Sequence, residues 1–497
     1  MQIHKRKKSR LWLYIMIMFF VLFVTCIVIA YNIISRFSVE DVLNSSFIQD
    51  QIADTIEEQT GTDEYSAFVP FLADVTGISK PVTYLFLFQN NTEMRPGGGF
   101  IGTYALVRMH NGKIEIIKTE GTEVLDKLTP AAWKPVPPQP ILDHLNVDRW
   151  FFRDSNWSPD FVDNSKRALA FYKGENGKLA DEIDMVVAFT PTVLERFIGL
   201  TGPITIDGIT FDESNVTETL EYEVEYGYEK RGISFENRKQ IIGPFMQRLG
   251  DKLGSDIFSQ IPTYVPTILS LLEEKHILVY AKDNDALQQL LDAQDWSGKV
   301  QYVKGDYLLW TDANLAALKT DHAIERTLDY ALEKRADGEI YATAKMTYIH
   351  NGTFDWRTTR YRTYARVFVP TGSELIETKG SLAWDRTEEV GKIDEGQEAG
   401  KQWFGAFTSI EPGETGELSF TYKLPKKITA EIENGVYTLF VQKQSGLPFA
   451  GLTTHLDFGT TLKAATPPES PDKWHDTSYE VERDLRVDQE FTIELSK

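Results

Sequence analysis

Cysteine is almost missing from this chain. One residue, Cys26, stands among 497, so no disulfide framework braces the fold and zinc–thiolate centres are excluded. Stability has to come from buried cores. Histidine is scarce as well, eight residues scattered without pairing, and there is no H-E-x-x-H and no G-x-S-x-G. No glycine-rich stretch ends in Gly-Lys-Ser/Thr, which removes the Walker loop. Positive charge is also short. Lys+Arg number 52 against 73 Asp+Glu, a net charge of −21. Phosphate backbones need a basic footprint, so this balance argues against nucleic acid as a partner.

What is present is ordinary in bulk, with 42% hydrophobic and 25% charged residues. Such a composition belongs to a globular chain, and at about 150 residues per domain it predicts two to four folded units. The charge is unevenly placed. Lys5, Arg6, Lys7, Lys8 and Arg10 are the basic residues of positions 1–34, which hold no acidic residue. Beside them, 11–34 is an uncharged run of Phe, Ile, Val, Leu and Met that contains Cys26. About 20 apolar residues rising about 1.5 Å each cross a hydrocarbon core of about 30 Å. The run exceeds the h-region of about 7–15 residues found in cleaved signal peptides. No small-x-small site follows it, since Ala30 is succeeded by Tyr31 and Asn32. The spacing therefore predicts a cytoplasmic basic tail (1–10) and an uncleaved transmembrane signal anchor (11–34) in the plasma membrane. The basic flank stays inside, which sends the acidic bulk to the extracytoplasmic side.

Three further regions follow. Residues 35–80 carry Val39, Val42, Leu43, Ile48, Ile52 and Ile56 near helical spacing, as a helical stalk or a helix packed on the next domain has. Residues 81–325 read as an α/β domain, a mixed sheet flanked by helices. Its expected strands are 82–88, 104–109, 113–117, 183–189, 204–206, 276–280 and 307–311. Asn111-Gly112 marks a tight hairpin turn, and Thr190-Pro191 a helix start. Helices are expected at 214–226, 234–252, 262–274 and 284–293, the second kinked or split at Gly243-Pro244. From 326 to 497, short alternating segments such as 339–348, 364–368, 417–422 and 437–442 predict an all-β, immunoglobulin-like sandwich. Residues 465–473 read as a proline-rich loop and 491–495 as a last edge strand.

Two segments stand out for chemistry, and a third for charge. Residues 89–102, Q-N-N-T-E-M-R-P-G-G-G-F-I-G, join two expected strands. Gly97, Gly98 and Gly99 permit close approach of backbone, their N–H groups suit an anion-binding nest, and Arg95 adds a charge-assisted donor. A tight bend under a neighbouring element accounts for the same glycines. Residues 148–163, D-R-W-F-F-R-D-S-N-W-S-P-D-F-V-D, interleave Arg149 and Arg153 with aromatics and with Asp154, Asp160 and Asp163. They follow a proline-rich stretch, as a long functional loop does, although plain ion pairing fits them equally. A divalent metal would bind through these carboxylates, Asp154 foremost, with magnesium the candidate. In the third segment, 231–248, Arg238 and Lys239 fall in the first turns of the expected helix behind Ser234. Basic groups there oppose the helix dipole unless an anion is bound.

These texts, F-Q-N-N-T-E-M-R-P-G-G-G-F-I-G-T-Y and F-R-D-S-N-W-S-P-D-F, resemble an uncharacterised bacterial family of single-pass membrane proteins carrying R-P-x-G-G-F-I-G. More remotely, the chain resembles the LytR-CpsA-Psr family, whose extracytoplasmic α/β domain binds polyprenyl-pyrophosphate carriers and transfers glycopolymers to the cell wall. The shared plan is a membrane anchor, a glycine-bearing strand pair, a helix after a strand ending in Thr-Pro, then L-T-G-P-I-T-I at 200–206 and a late basic helix. The resemblance implies that Arg95, Arg153 and Arg238 hold phosphates, that Asp154 binds magnesium, and that any reaction is glycopolymer phosphotransfer. Where that family writes Arg-Ser-Asp-Thr before its second strand, this chain has the triple glycine.

Two expectations result. In the first, a membrane-anchored envelope protein binds an anionic, phosphate-bearing lipid-linked or wall glycan on its α/β domain, with or without transferring it. The ligand-binding residues would be Arg95, Gly97, Gly98, Gly99, Arg153, Asp154, Arg238 and Lys239. In the second, the chain is a non-enzymatic surface scaffold or adhesion protein that binds a protein or glycan through the β-sandwich.

Overall fold

The computed structural model describes residues 61–496 apart from 112, 235–237, 240, 256 and 475, together with scattered positions between 46 and 57. The basic tail, the apolar span 11–34 and most of the expected stalk lie outside the described residues. Among the described residues, no helix is long and apolar enough to cross a membrane. The chain divides into two compact units, each assembled from three sequence segments.

The first unit gathers residues up to Phe88, Gly102–Lys127 and Asn176–Ser297. Its strands are β1 (Val82–Arg95), β2 (Gly98–His110), β3 (Lys113–Gly121), β4 (Met185–Phe189), β5 (Ile204–Ile206), β6 (Ile209–Phe211) and β7 (Ile277–Ala281). Five of them form a mixed sheet in the order β3-β2-β1-β4-β7, with β1 parallel to β4 and β4 antiparallel to β7. The wholly apolar texts M-V-V-A-F and I-L-V-Y-A are buried at every position, as strands covered on both faces must be. Asn111, at φ +50°, turns β2 into β3. Helices Pro191–Thr201, Ile242–Ser255, Ile257–Glu273 and Asp285–Ala293 supply the other half of the core, where Phe86, Val187 and Val279 meet Phe197, Phe245 and Leu272. Of the helix expected at 234–252, the described α-helical part is Ile242–Ser255. It begins at Ile242, which puts Pro244 in the first turn, where its missing N–H costs nothing. The helix Val216–Tyr222 runs on as a π-helical turn, Glu223–Gly227.

The second unit gathers Gln89–Ile101, Leu128–Glu175 and Gly298–Lys497, so the boundary falls inside both β1 and β2. Its own strands are β8 (Asp306–Asn314), β9 (Ile324–Lys334), β10 (Ile340–His350), β11 (Tyr361–Pro370), β12 (Glu374–Lys379), β13 (Ile393–Glu398) and β14 (Lys401–Ile410). They continue with β15 (Thr415–Lys423), β16 (Val436–Gln442), β17 (Gly451–Asp457), β18 (Leu462–Thr466), β19 (Ser478–Asp484) and β20 (Gln489–Leu495). Two sheets, β12-β15-β10-β9-β17-β19 and β13-β14-β11-β8-β16-β20-β18, share one core, in which Leu328, Phe420 and Leu452 face Trp310, Phe404 and Leu439. Strand β9 alternates buried and less buried positions along its length, the period-two signature of a sheet with one face inward.

Three sequence expectations are corrected in this unit. The strand at 307–311 does not close the α/β sheet; it is β8, in the middle of the seven-stranded sheet. The segment 491–495 lies in β20, flanked by β16 and β18, and is not an edge. The sandwich also departs from an immunoglobulin-like plan of about seven to nine antiparallel strands. Among the described residues its sheets hold six and seven strands, and β16 pairs β8 in parallel as β17 pairs β9.

Candidate functional site

The glycine-rich text is the tip of a hairpin. Strand β1 runs on through N-N-T-E-M-R, only Pro96 and Gly97 turn the chain, and β2 starts at Gly98. Arg95 is buried, its side chain 3% exposed. Its Nε donates to Asp154 Oδ1 at 3.0 Å and Nη2 to Glu93 Oε1 at 3.2 Å. Nη1 donates to the carbonyls of Asn314 (2.8 Å) and Met94 (3.1 Å). Burial works against this cation, but Asp154 and Glu93 hold its pKa above the usual guanidinium value. The tip is tied further into the sandwich: Met94 belongs to its core, Asn91 Nδ2 donates to Gly446 O at 3.0 Å, and Gln444 Nε2 donates to Arg95 O at 3.0 Å.

The three glycines fit under protein. Gly97 N donates to Asn156 O at 3.1 Å, and a Cβ there would collide with the Asn164 amide. Gly98 has φ +126°, a region closed to most side chains, and a Cβ would strike the Gln89 amide. The space on the Cβ side is therefore taken up by the Asn164 and Gln89 side chains at Gly97 and Gly98, and by the Asn90 backbone at Gly99.

The second segment is built around the same hairpin tip. Asp154 receives Arg95 on Oδ1 and has Arg153 Nε 3.6 Å from Oδ2, so Arg95, Arg153 and Asp154 do come together. Arg153 also stacks its guanidinium 4.9 Å from the Phe151 ring. Asn156 Nδ2 donates to Gly99 O at 2.7 Å. Asp160 caps the helix Phe161–Gly174, accepting Asp163 N at 3.1 Å on Oδ1 and Val300 N at 3.0 Å on Oδ2; burial pushes its pKa up. Arg366 closes the segment, donating to Trp157 O at 2.6 Å and to Glu398 Oε2 at 2.8 Å. These carboxylates do not fit a magnesium site: Asp154 faces two guanidinium groups and both Asp160 oxygens are used by backbone N–H. Among the described residues, no group of three or more His, Cys, Asp or Glu is set to hold a metal.

Arg238 and Lys239 belong to the other unit. Arg238 Nη2 donates to Glu123 Oε1 at 3.0 Å. Lys239 Nζ donates to Glu123 Oε2 at 3.2 Å and to Gly102 O at 3.3 Å. Burial pushes Lys239 down, while its charge and that of Arg238 hold Glu123 below the usual carboxylate range despite partial burial. The eight expected residues are thus divided: six in the second unit, two in the first.

Two groupings in the sandwich escaped the sequence reading. Inside it, Arg326 donates to Asp312 Oδ2 (2.9 Å), to Asp321 Oδ1 (2.5 Å) and to the Tyr361 hydroxyl (2.8 Å), all buried. Nearby in sequence, Asp306 Oδ2 accepts the Tyr330 and Tyr437 hydroxyls at 2.6 Å each, and burial pushes its pKa up to about 6. The available signal was a pair of aspartates, Asp306 and Asp312, within an otherwise apolar strand text, D-Y-L-L-W-T-D. The other grouping is a layer of near-parallel rings at Trp384, His144 and Phe407 beside Arg362.

A mixed α/β sheet unit and a two-sheet β-sandwich unit define the class of molecule. Within it, residues 79–225 match the model of a protein family of unknown function, DUF4012, in line with the expected likeness to an uncharacterised family. No curated protein matches the chain. Among solved structures, a candidate nutrient binding protein from Legionella pneumophila is 8% identical, with 38% of this chain and 71% of that chain covered at a TM-score of 0.24. An M1 zinc metallopeptidase from Deinococcus radiodurans is 10% identical, with 39% and 43% covered at a TM-score of 0.17. Likenesses this slight do not bear on the fold or the chemistry.

Proposed function

We propose that the chain is a membrane-anchored extracytoplasmic envelope protein acting as a non-enzymatic scaffold, which meets a protein or glycan partner through its β-sandwich. Support for the anchor comes from the uncharged run 11–34 and its basic flank. The observation that carries the scaffold reading is the burial of Arg95 between Asp154 and Glu93. The most unusual motif of the sequence is spent on holding a hairpin tip, because four of the five guanidinium N–H groups already donate to protein acceptors and two carboxylates balance the charge. The test uses the full chain in detergent micelles with a polyprenyl-pyrophosphate analogue. Arg95→Ala is expected to lower the unfolding midpoint without altering analogue binding at temperatures where it stays folded. Loss of analogue binding in folded Arg95→Ala protein would overturn the reading.

One observation favours a second reading, in which the α/β unit holds a phosphate-bearing glycan. Arg238 and Lys239, two basic side chains adjacent in sequence, converge on Glu123. The remote likeness to the LytR-CpsA-Psr family points the same way. Binding of the analogue that disappears in the Arg238→Ala, Lys239→Ala double variant is the expected result under this reading. Equal binding by both proteins removes it.

A further inference from the structure

Between β12 and β13 the chain makes a short excursion closed by a bridge between Leu382 and Val390. It carries Trp384, 41% exposed. His144 stacks on it, centroids 4.9 Å apart at 13°, and on Phe407 at 4.1 Å and 12°. Burial and the Arg362 charge push His144 down to about 4, so at neutral pH it is an uncharged ring. The Arg362 guanidinium lies 4.8 Å from the Trp384 ring and 5.8 Å from that of Phe407. These residues form an aromatic cluster with a cation over the Trp384 and Phe407 rings.

Arg362 is the informative member. Its Nε and Nη2 are enclosed and have no hydrogen-bond partner. The neighbouring arginines are provided for: Arg360 has Glu411 at 2.7 Å and Asp385 at 3.7 Å, and Arg386 has Asp385 at 3.7 Å. Asp385 also acts on Arg362, but burial outweighs it and lowers the Arg362 pKa. A cation left without an acceptor in a partly desolvated place is held at a cost, which an incoming anion would offset. Ser381 Oγ, Ser409 Oγ and His144 Nδ1 are likewise enclosed without partners. An interface made for a folded protein sets its aromatic anchor in an apolar, satisfied surround; this surround is polar and unsatisfied, which suits a ligand dense in hydroxyls.

We propose that Trp384, His144 and Arg362 form a binding site for an acidic glycan, a uronate-bearing chain whose ring stacks on Trp384 while its carboxylate accepts from Arg362. The inference rests on the scaffold reading and names the class of partner. The probes are cellohexaose and its glucuronate counterpart of equal length, titrated against the full chain in detergent micelles. The uronate is expected to bind at least about tenfold more tightly than the neutral chain, since charge-assisted hydrogen bonds are roughly twice as strong as neutral ones. Trp384→Ala should abolish binding of both, and Arg362→Gln should reduce the uronate to the neutral level, with Arg362→Lys between. If Trp384→Ala melts early, Trp384→Phe is read instead, with weakened but measurable binding expected. Failure of wild type to bind either saccharide, as for a protein-binding face, overturns the proposal. So does equal affinity for the two, binding that survives in folded Trp384→Ala protein, or undiminished binding by Trp384→Phe. The scaffold reading fails on a different variant and probe, Arg95→Ala with the pyrophosphate analogue, so the two failures are separable.

Discussion

Arg95 in the second unit and Arg238 in the first look alike in the sequence, each a basic residue beside a turn or helix start. Their surroundings differ. The Arg95 side chain is 3% exposed and serves two carboxylates and two carbonyls, whereas that of Arg238 is 14% exposed and shares Glu123, 32% exposed, with Lys239. Removing one partner from a fully enclosed ion pair strands the other charge in a medium that solvates it poorly; at the half-open cluster, water takes over. The difference teaches that an arginine in a distinctive motif marks architecture when the chain supplies its acceptors and a ligand only when it does not.

The strongest way to break this comparison is to substitute the two arginines in parallel. Arg95→Ala is expected to cost about 3–5 kcal/mol in chemical denaturation of the full chain, and Arg238→Ala under about 1 kcal/mol. Equal losses would mean that enclosure does not separate them. A smaller effect is expected at Asp306, where burial raises the carboxyl pKa to about 6 from 3.8. The native state there binds more protons than the unfolded one between these values. Asp306 thus supports the fold below pH 3.8, and that support is lost as pH rises through about 6. Asp306→Asn should flatten this slope in melts across pH 4–7, although its amide nitrogen replaces an oxygen that accepts hydroxyl or N–H donors. The opposite sign belongs to His144, lowered to about 4 from 6.5. Its support is complete above 6.5 and lost as pH falls through about 4; His144→Phe should remove about 1 kcal/mol of that dependence, given its partial exposure. Smallest of all is the exposed Arg335–Glu333 pair, at 2.6 Å. Glu333→Gln should leave the midpoint unchanged within error, which calibrates the enclosed pairs against an open one.

Much of the architecture was legible because it is written locally. The texts M-V-V-A-F and I-L-V-Y-A can only be covered strands, and Asn111 announces its turn by tolerating a positive φ. What was not legible depends on distant partners. Nothing beside Tyr307 says that β8 will find β16 and β11, more than fifty residues away, instead of β7. Strand spacing suggested a sandwich but is blind to parallel pairing, so β8 with β16 and β9 with β17 were invisible. The motif residues are unusual as text, yet their spacing does not tell an anion's cradle from a protein's own. That choice was made by Asp154, fifty-nine residues from Arg95, and by the Asn314 carbonyl, 219 residues away. Arg326 and Asp312 were passed over because each looks like a solvated charge until the sheets close over it.

The hairpin whose tip, Gln89–Ile101, is counted with the second unit also sets a timetable. Asn91 finds its acceptor, Gly446, 355 positions further along, which at about 5–20 residues per second of synthesis is a delay on the order of tens of seconds. Through that interval the tip of β1 and β2 has its strand backbone but not its final lodging. A nascent chain stalled or cut short of Gly446 would keep that lodging vacant, and the cell's quality control would meet it as an unfinished molecule however well the five-stranded sheet had formed.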